Sequence, residues 1–224
     1  MNDKPAVIFD MDGVLVDSYH AHFKSWQAVA AEEGLAITEA DFAAQFGRTS
    51  REIIAAYWHE DNYTEDQIAE MDSRKESAFR RILEAAFSVM PGAVELLESL
   101  ANAGFALGLG SSGPPENIDL VLSQLKATSM FGAVVTGRDV TRGKPDPQVF
   151  LLAAQRLGAA PDRCAVVEDA PAGVQAANAA GMTSVGLAST GHTRESLREA
   201  DLVVDALAEL SPRLLRELIG PGKT

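Results

Sequence analysis

AVIFDMDGVLVDS (residues 6–18) closes a four-residue apolar run with two aspartates, Asp10 and Asp12, and carries a third at Asp17. A strand that is apolar at every position is buried on both faces, as in a parallel sheet rather than a surface hairpin. Carboxylates crowded at the mouth of such a strand repel one another, so a cation or a chemical task must compensate for them. The fold therefore turns on two things: further buried strands, and a compensating partner at their ends.

Five more runs of this kind follow: FALGLG (105–110), AVVTG (133–137), CAVVED (164–169), SVGLA (184–188) and DLVVD (201–205). Beyond about residue 90 they are separated by helical patterns. PGAVELLESLANAG places Val94, Leu97 and Leu100 at helical spacing, with Pro91 as the opening residue and Gly104 as the stop. DPQVFLLAAQRLG and APAGVQAANAAG repeat the scheme, each closing on glycine. This alternation predicts an α/β fold, a Rossmann-like parallel sheet covered on both faces. Residues 18–88 break the alternation. SYHAHFKSWQAVAAEEG, TEADFAAQFG, SREIIAAYWHED and TEDQIAEMDSRKESAFRRILEAAF all read as helices, several opened by Ser or Thr with acids in the first turn. The expected organisation is a discontinuous α/β core, residues 1–17 and 89–224, with an inserted all-helical subdomain, residues 18–88.

Composition narrows the partners. The chain holds 19 basic against 32 acidic residues, a formal net charge of −13, which repels nucleic acid and anionic lipid alike. Its single cysteine, Cys164, lies in an apolar run, excludes a disulfide within the chain and reads as a small buried hydrophobe. No apolar segment approaches the roughly 20 residues of a membrane span, and the first residues lack a signal-peptide pattern. The expectation is a soluble, cytoplasmic monomer that engages neither nucleic acid nor membrane.

Ligands of open parallel sheets bind beyond the carboxyl ends of the strands. Those ends carry Asp10 and Asp12 after the first strand and Ser111 and Ser112 after FALGLG. Lys144 follows AVVTG in RGKPDP, and Glu168 and Asp169 close CAVVED. Carboxylates converging from two strands call for a hard cation with oxygen ligands, and Mg²⁺ is the usual one beside phosphate. Hydroxyls and a lysine at the same edge suit the oxygens of a phosphoryl group. An aspartate can act as nucleophile through an aspartyl-phosphate, while a second carboxyl two residues on moves the proton.

The order of these groups resembles the haloacid dehalogenase superfamily of phosphoryl-transfer enzymes. Its DxDGx motif stands as Asp10-Met11-Asp12-Gly13-Val14, its serine as Ser111, its lysine as Lys144, and its acidic pair as Glu168-Asp169. The resemblance implies Asp10 as nucleophile, Asp12 as acid/base, and Mg²⁺ held by Asp10, the Asp12 carbonyl and Asp169, with Glu168 in the same acidic set. Gly13 and Ser112 fall at the substrate, a small phosphorylated metabolite, and residues 18–88 correspond to the family's cap. His22, Trp26, Arg51 and Lys75 resemble cap residues of β-phosphoglucomutases that orient a phosphorylated sugar. Arg48 rivals Arg51 for its place. The structural alternative has Arg51 and Lys75 paired with Glu52 and Glu76, Trp58 and Phe46 in a core, and His59 and His192 in solvent. The mutases carry polar and cationic residues after the serine, where this chain has SGPPEN, so the resemblance favours a Mg²⁺-dependent phosphatase over a mutase. A third reading takes GLGSSG (108–113) as a dinucleotide fingerprint of an oxidoreductase. Against it, the first two glycines fall inside the strand run, and no acidic strand end follows about 20 residues on.

Overall fold

The computed structural model describes residues 4–46, 50–58, 63–189 and 191–220. The chain divides into two compact units, residues 1–17 with 89–224, and residues 18–88.

In the first unit the described residues form a six-stranded, all-parallel sheet ordered β3-β2-β1-β4-β5-β6. Its strands are β1 (Ala6–Phe9), β2 (Ala106–Gly110), β3 (Ala133–Val135), β4 (Cys164–Glu168), β5 (Thr183–Leu187) and β6 (Leu202–Val204). Each coincides with one of the six apolar runs, trimmed or shifted by a residue or two at its ends. β1 lies near the middle of the sheet, and all four of its residues are fully buried. Phe9 is level with Leu109 on one side and Val167 on the other. That register brings Asp10, the end of β2 and Glu168 to one height at the carboxyl edge.

Helices cover both faces, as a sheet apolar on both sides requires. Ala6 and Ile8 of β1 share a core with Val149, Phe150, Ala153 and Ala154 of α7 (Gln148–Leu157) and Ala176 and Ala177 of α8 (Pro171–Ala179). Side chains alternate along a strand, so Val7 and Phe9 point to the other face. α5 (Ala93–Asn102) packs on β2, and α9 (Pro212–Ile219) packs on β4. α5 buries Ala93, Leu96, Leu97 and Leu100; it is capped by Gly92 at φ 84°, so Pro91 precedes the helix instead of opening it.

Among the described residues of the second unit the regular elements are all helices: α1 (Tyr19–Glu32), α2 (Glu39–Ala43), α3 (Ser50–Trp58) and α4 (Glu65–Ala85). Thr38 and Thr64 close capping boxes with Asp41 and Gln67, satisfying orphan amides at the starts of α2 and α4. The helices enclose a core of their own, built on Trp26, Phe42, Ile54, Trp58 and Met71, with Phe46 packed against it. No helix among the described residues is long and apolar enough to cross a membrane.

Candidate active site

The carboxyl edge of the sheet collects the groups read from the strand ends. Lys144 Nζ donates to Asp10 Oδ1 and to Glu168 Oε1, both at 2.7 Å, and lies 4.8 Å from the centre of the Phe150 ring. Glu168 is 1% exposed, and its Oε2 accepts from Ala170 N at 2.8 Å. Asp10, Glu168 and Asp169 are all buried, with one oxygen of each within 4.8 Å of the others.

One lysine does not balance this cluster. Burial pushes Asp10 up to about 7, with Lys144 opposing the shift and Glu168 and Asp12 adding to it. Burial raises Asp169 well above the ordinary carboxylate range, helped by Glu168 and Asp10. Burial alone would lower Lys144, but Asp10 and Glu168 more than reverse that and raise it.

The cluster's shape fits a cation. Asp169 is 4% exposed, and its Oδ2 has no hydrogen-bond partner among the described residues. A buried carboxylate oxygen left so is costly unless a cation meets it. The donors are all carboxylate oxygens, the set that hard divalent ions prefer. The backbone is shaped to this crowding. Gly13 sits at φ 71°, and a Cβ there would stand 2.0 Å from Asp169 Oδ2. A Cβ on Gly173 would stand 1.8 Å from Glu168 Oε1, so the first turn of α8 is open just where Glu168 passes it.

Asp12 is half-buried and bridged to Val16, in the turn in which Leu15 N donates to Met11 O. Ser111, just past β2, is buried; its Oγ accepts from Gly113 N at 3.1 Å, while Ser112 is exposed. Pro114 is the N-cap of α6 (Pro115–Leu125) and Pro115 its first residue, so two groups without a backbone N–H follow the serines. The dinucleotide reading fails on packing. Gly108 and Gly110 lie within β2, where a Cβ would meet Leu157 at 3.0 Å and Phe150 at 3.1 Å. Their bareness seats α7 on the sheet and leaves no cradle for a pyrophosphate.

In the helical unit, Lys75 is buried, with Nζ 2.6 Å from Glu76 Oε1 and 3.1 Å from His22 Nδ1. The His22 ring stacks on Phe79, the centroids 4.1 Å apart. His22 and Lys75 are thus together. Trp26, at 1% exposure, packs in the helical core. Arg51 forms a two-pronged pair with Glu65, both contacts at 2.7 Å, rather than the expected pair with Glu52. Glu65, at the start of the next helix, takes that place, whereas Lys75 does meet its neighbour Glu76 as expected. Arg48 and His59 lie outside the described residues.

Two groups near the site escaped the sequence. Ser189 Oγ, in the loop after β5, is buried without a hydrogen-bond partner among the described residues and lies 3.3 Å from the Cβ position of Gly13. His192, expected in solvent, is half-buried, and burial lowers its pKa against a pull from Glu168. Nothing in GLASTGHT marks either residue, because only the fold brings this loop beside Gly13.

A protein-family model described as haloacid dehalogenase-like hydrolase matches residues 4–181. The chain is 35% identical over 206 residues to hexitol phosphatase A of Escherichia coli (strain K12), covering 91% of this chain and 92% of that protein. It is 33% identical over 219 residues to β-phosphoglucomutase of Bacillus subtilis (strain 168), covering 95% and 94%. The crystal structure of β-phosphoglucomutase from Clostridium difficile matches with a TM-score of 0.85 at 27% identity, over 96% of this chain and 97% of that one.

Proposed function

Because the chain belongs to the haloacid dehalogenase-like hydrolase family, we propose that it is a Mg²⁺-dependent phosphatase of a small sugar or polyol phosphate monoester. The observation that carries this reading is the pairing of Asp10 with Lys144 inside a buried carboxylate cluster that one lysine cannot neutralise. Both hexitol phosphatase A and β-phosphoglucomutase are relatives, so the choice between hydrolysis and isomerisation rests on residues 113–115. Gly113, Pro114 and Pro115 offer no polar side chain with which to grip a second phosphate. In this reading residues 18–88 serve as the cap, and His22 with Lys75 is its polar pair for the substrate.

The reaction follows from the assigned roles. An Asp10 carboxylate oxygen attacks phosphorus, the ester oxygen leaves, and Asp12 gives that oxygen its proton. Water then attacks the phosphorus of the aspartyl-phosphate, Asp12 takes the water's proton, and inorganic phosphate departs with Asp10 restored. Lys144 holds Asp10 in place and offsets the charge gathering on the phosphoryl oxygens, with Ser111 at the same edge. Asp10, Asp169 and the Asp12 carbonyl would hold Mg²⁺, which when bound supplies charge compensation for those oxygens.

The test is a panel of sugar and polyol phosphates with Mg²⁺, including β-glucose 1-phosphate primed with glucose 1,6-bisphosphate. Inorganic phosphate and glucose 6-phosphate are assayed side by side. Phosphate release should dominate and should vanish in a folded Asp10→Asn variant. Dominant glucose 6-phosphate would make the chain a mutase, and near-wild-type turnover in Asp10→Asn would remove the mechanism.

A further inference from the structure

The sequence reading of RGKPDP gives a role to Lys144 alone, but the hydrogen bonds around it reach further. Gln148, the first residue of α7, reaches back across the loop with its side-chain carbonyl. Its Oε1 accepts from Thr141 N at 3.0 Å, from Thr141 Oγ1 at 3.2 Å and from Arg142 N at 3.1 Å. Asp146 ties the same loop from the other side. Its Oδ1 accepts from Gln148 N at 3.0 Å and its Oδ2 from Arg142 Nε at 2.5 Å, while its own N–H donates to Gly143 O at 3.0 Å. The side chains two residues before Lys144, two after it and four after it therefore close a ring of bonds about its backbone. Two residues beyond Gln148 the same helix presents Phe150, the ring over which the Lys144 ammonium rests.

Thr141 and Arg142 are exposed, so these bonds bury little surface and matter little to the core. Their consequence is local. A lysine reaches its partners through a flexible four-carbon stem, and its two contacts at 2.7 Å hold only if its Cα is fixed. We propose that Gln148 is a positioning residue for Lys144, setting where the ammonium meets Asp10 and Glu168 by locking the loop that bears it. For its kinetic consequence this rests on the phosphatase reading; for the coupling of Gln148 to Lys144 it does not.

Two experiments decide it. With the best ester from the substrate panel, Gln148→Leu should lower kcat by about ten- to a hundredfold, the scale of an ångström's misplacement, with KM held within about threefold. Gln148→Glu keeps an oxygen for the same three donors and suits the first turn of a helix, so it should restore most of the loss. A Leu variant with wild-type kcat, or a Glu variant no better than Leu, overturns the proposal. The second experiment needs no turnover. A double-mutant cycle of Gln148→Leu with Lys144→Met in urea should show coupling of at least about threefold in the unfolding constant. Lys144→Arg replaces Met if that variant does not fold. Strict additivity overturns the proposal whatever the enzyme hydrolyses. Coupling in a wild type that hydrolyses nothing would retire the phosphatase reading and leave Gln148 in its place.

Discussion

Gly13 shows how little slack the site has at the scale of one residue. Its φ of 71° suits glycine, and the space where a methyl would go is filled by Asp169 Oδ2 at 2.0 Å and bordered by Ser189 Oγ at 3.3 Å. Gly13→Ala should therefore fold with Asp169 pushed aside and bind Mg²⁺ at least about tenfold more weakly, the loss commonly seen when a group that orients a metal ligand is changed. Titrating Mg²⁺ against thermal midpoint measures this, and an unchanged half-saturation would show that Asp169 is free to move. The same residue marks a limit of legibility. The motif DxDG identifies Gly13 in the sequence, but the reason for glycine is an oxygen from Asp169, far along the chain.

At the scale of elements, β3 and α7 are strapped together by Asp139. Its Oδ2 accepts from Thr136 N and Thr136 Oγ1, both at 2.8 Å, and its Oδ1 takes the Arg156 guanidinium at 2.5 Å. The bond from Arg156, with those from Thr136, lowers Asp139 to about 2. A folded pKa below the unfolded value of about 3.9 means stability that is present above that value and lost as pH falls toward 2. Asp139→Asn should thus be less stable than wild type at pH 6, with a narrower gap at pH 3, in urea midpoints at the two pH values. A gap independent of pH would show that Asp139 contributes shape and not charge. This strap also explains why AVVTG reads longer than the strand it forms. Thr136 turns its amide to Asp139, so β3 ends at Val135. Strands were legible because burial on both faces writes itself as continuous apolar residues, and the strand ends then located Asp10, Lys144, Glu168 and Asp169. The helical unit was legible as helices but not as faces. A stripe with Trp26 does not say whether it meets a core or a ligand, and Arg51 has candidate partners in every neighbouring helix. Gln148, Ser189 and His192 stayed hidden because their significance is a matter of loop geometry.

Over the whole molecule, an acidic chain of net charge −13 keeps three carboxylates buried around one lysine. That arrangement costs stability when no cation is present and repays it when one binds. Chelation should lower the wild-type thermal midpoint and Mg²⁺ should raise it. Asp169→Ala should start higher than the wild type in EDTA and respond little to Mg²⁺. A wild-type midpoint indifferent to both treatments would remove the cation from the account. The sheet order has a consequence for how such a chain is made. β1 is the first of the described strands to leave the ribosome, yet Ala6 pairs with Ala106 and Cys164, both beyond the helical unit. Residues 18–88 are contiguous and enclose their own core, so they can close while β1 still waits for neighbours. A chain halted before Lys144 would carry Asp10 without the ammonium and the two carboxylates that surround it in the folded structure. On the proposed mechanism, the chain gains its chemistry only once most of its length has been made.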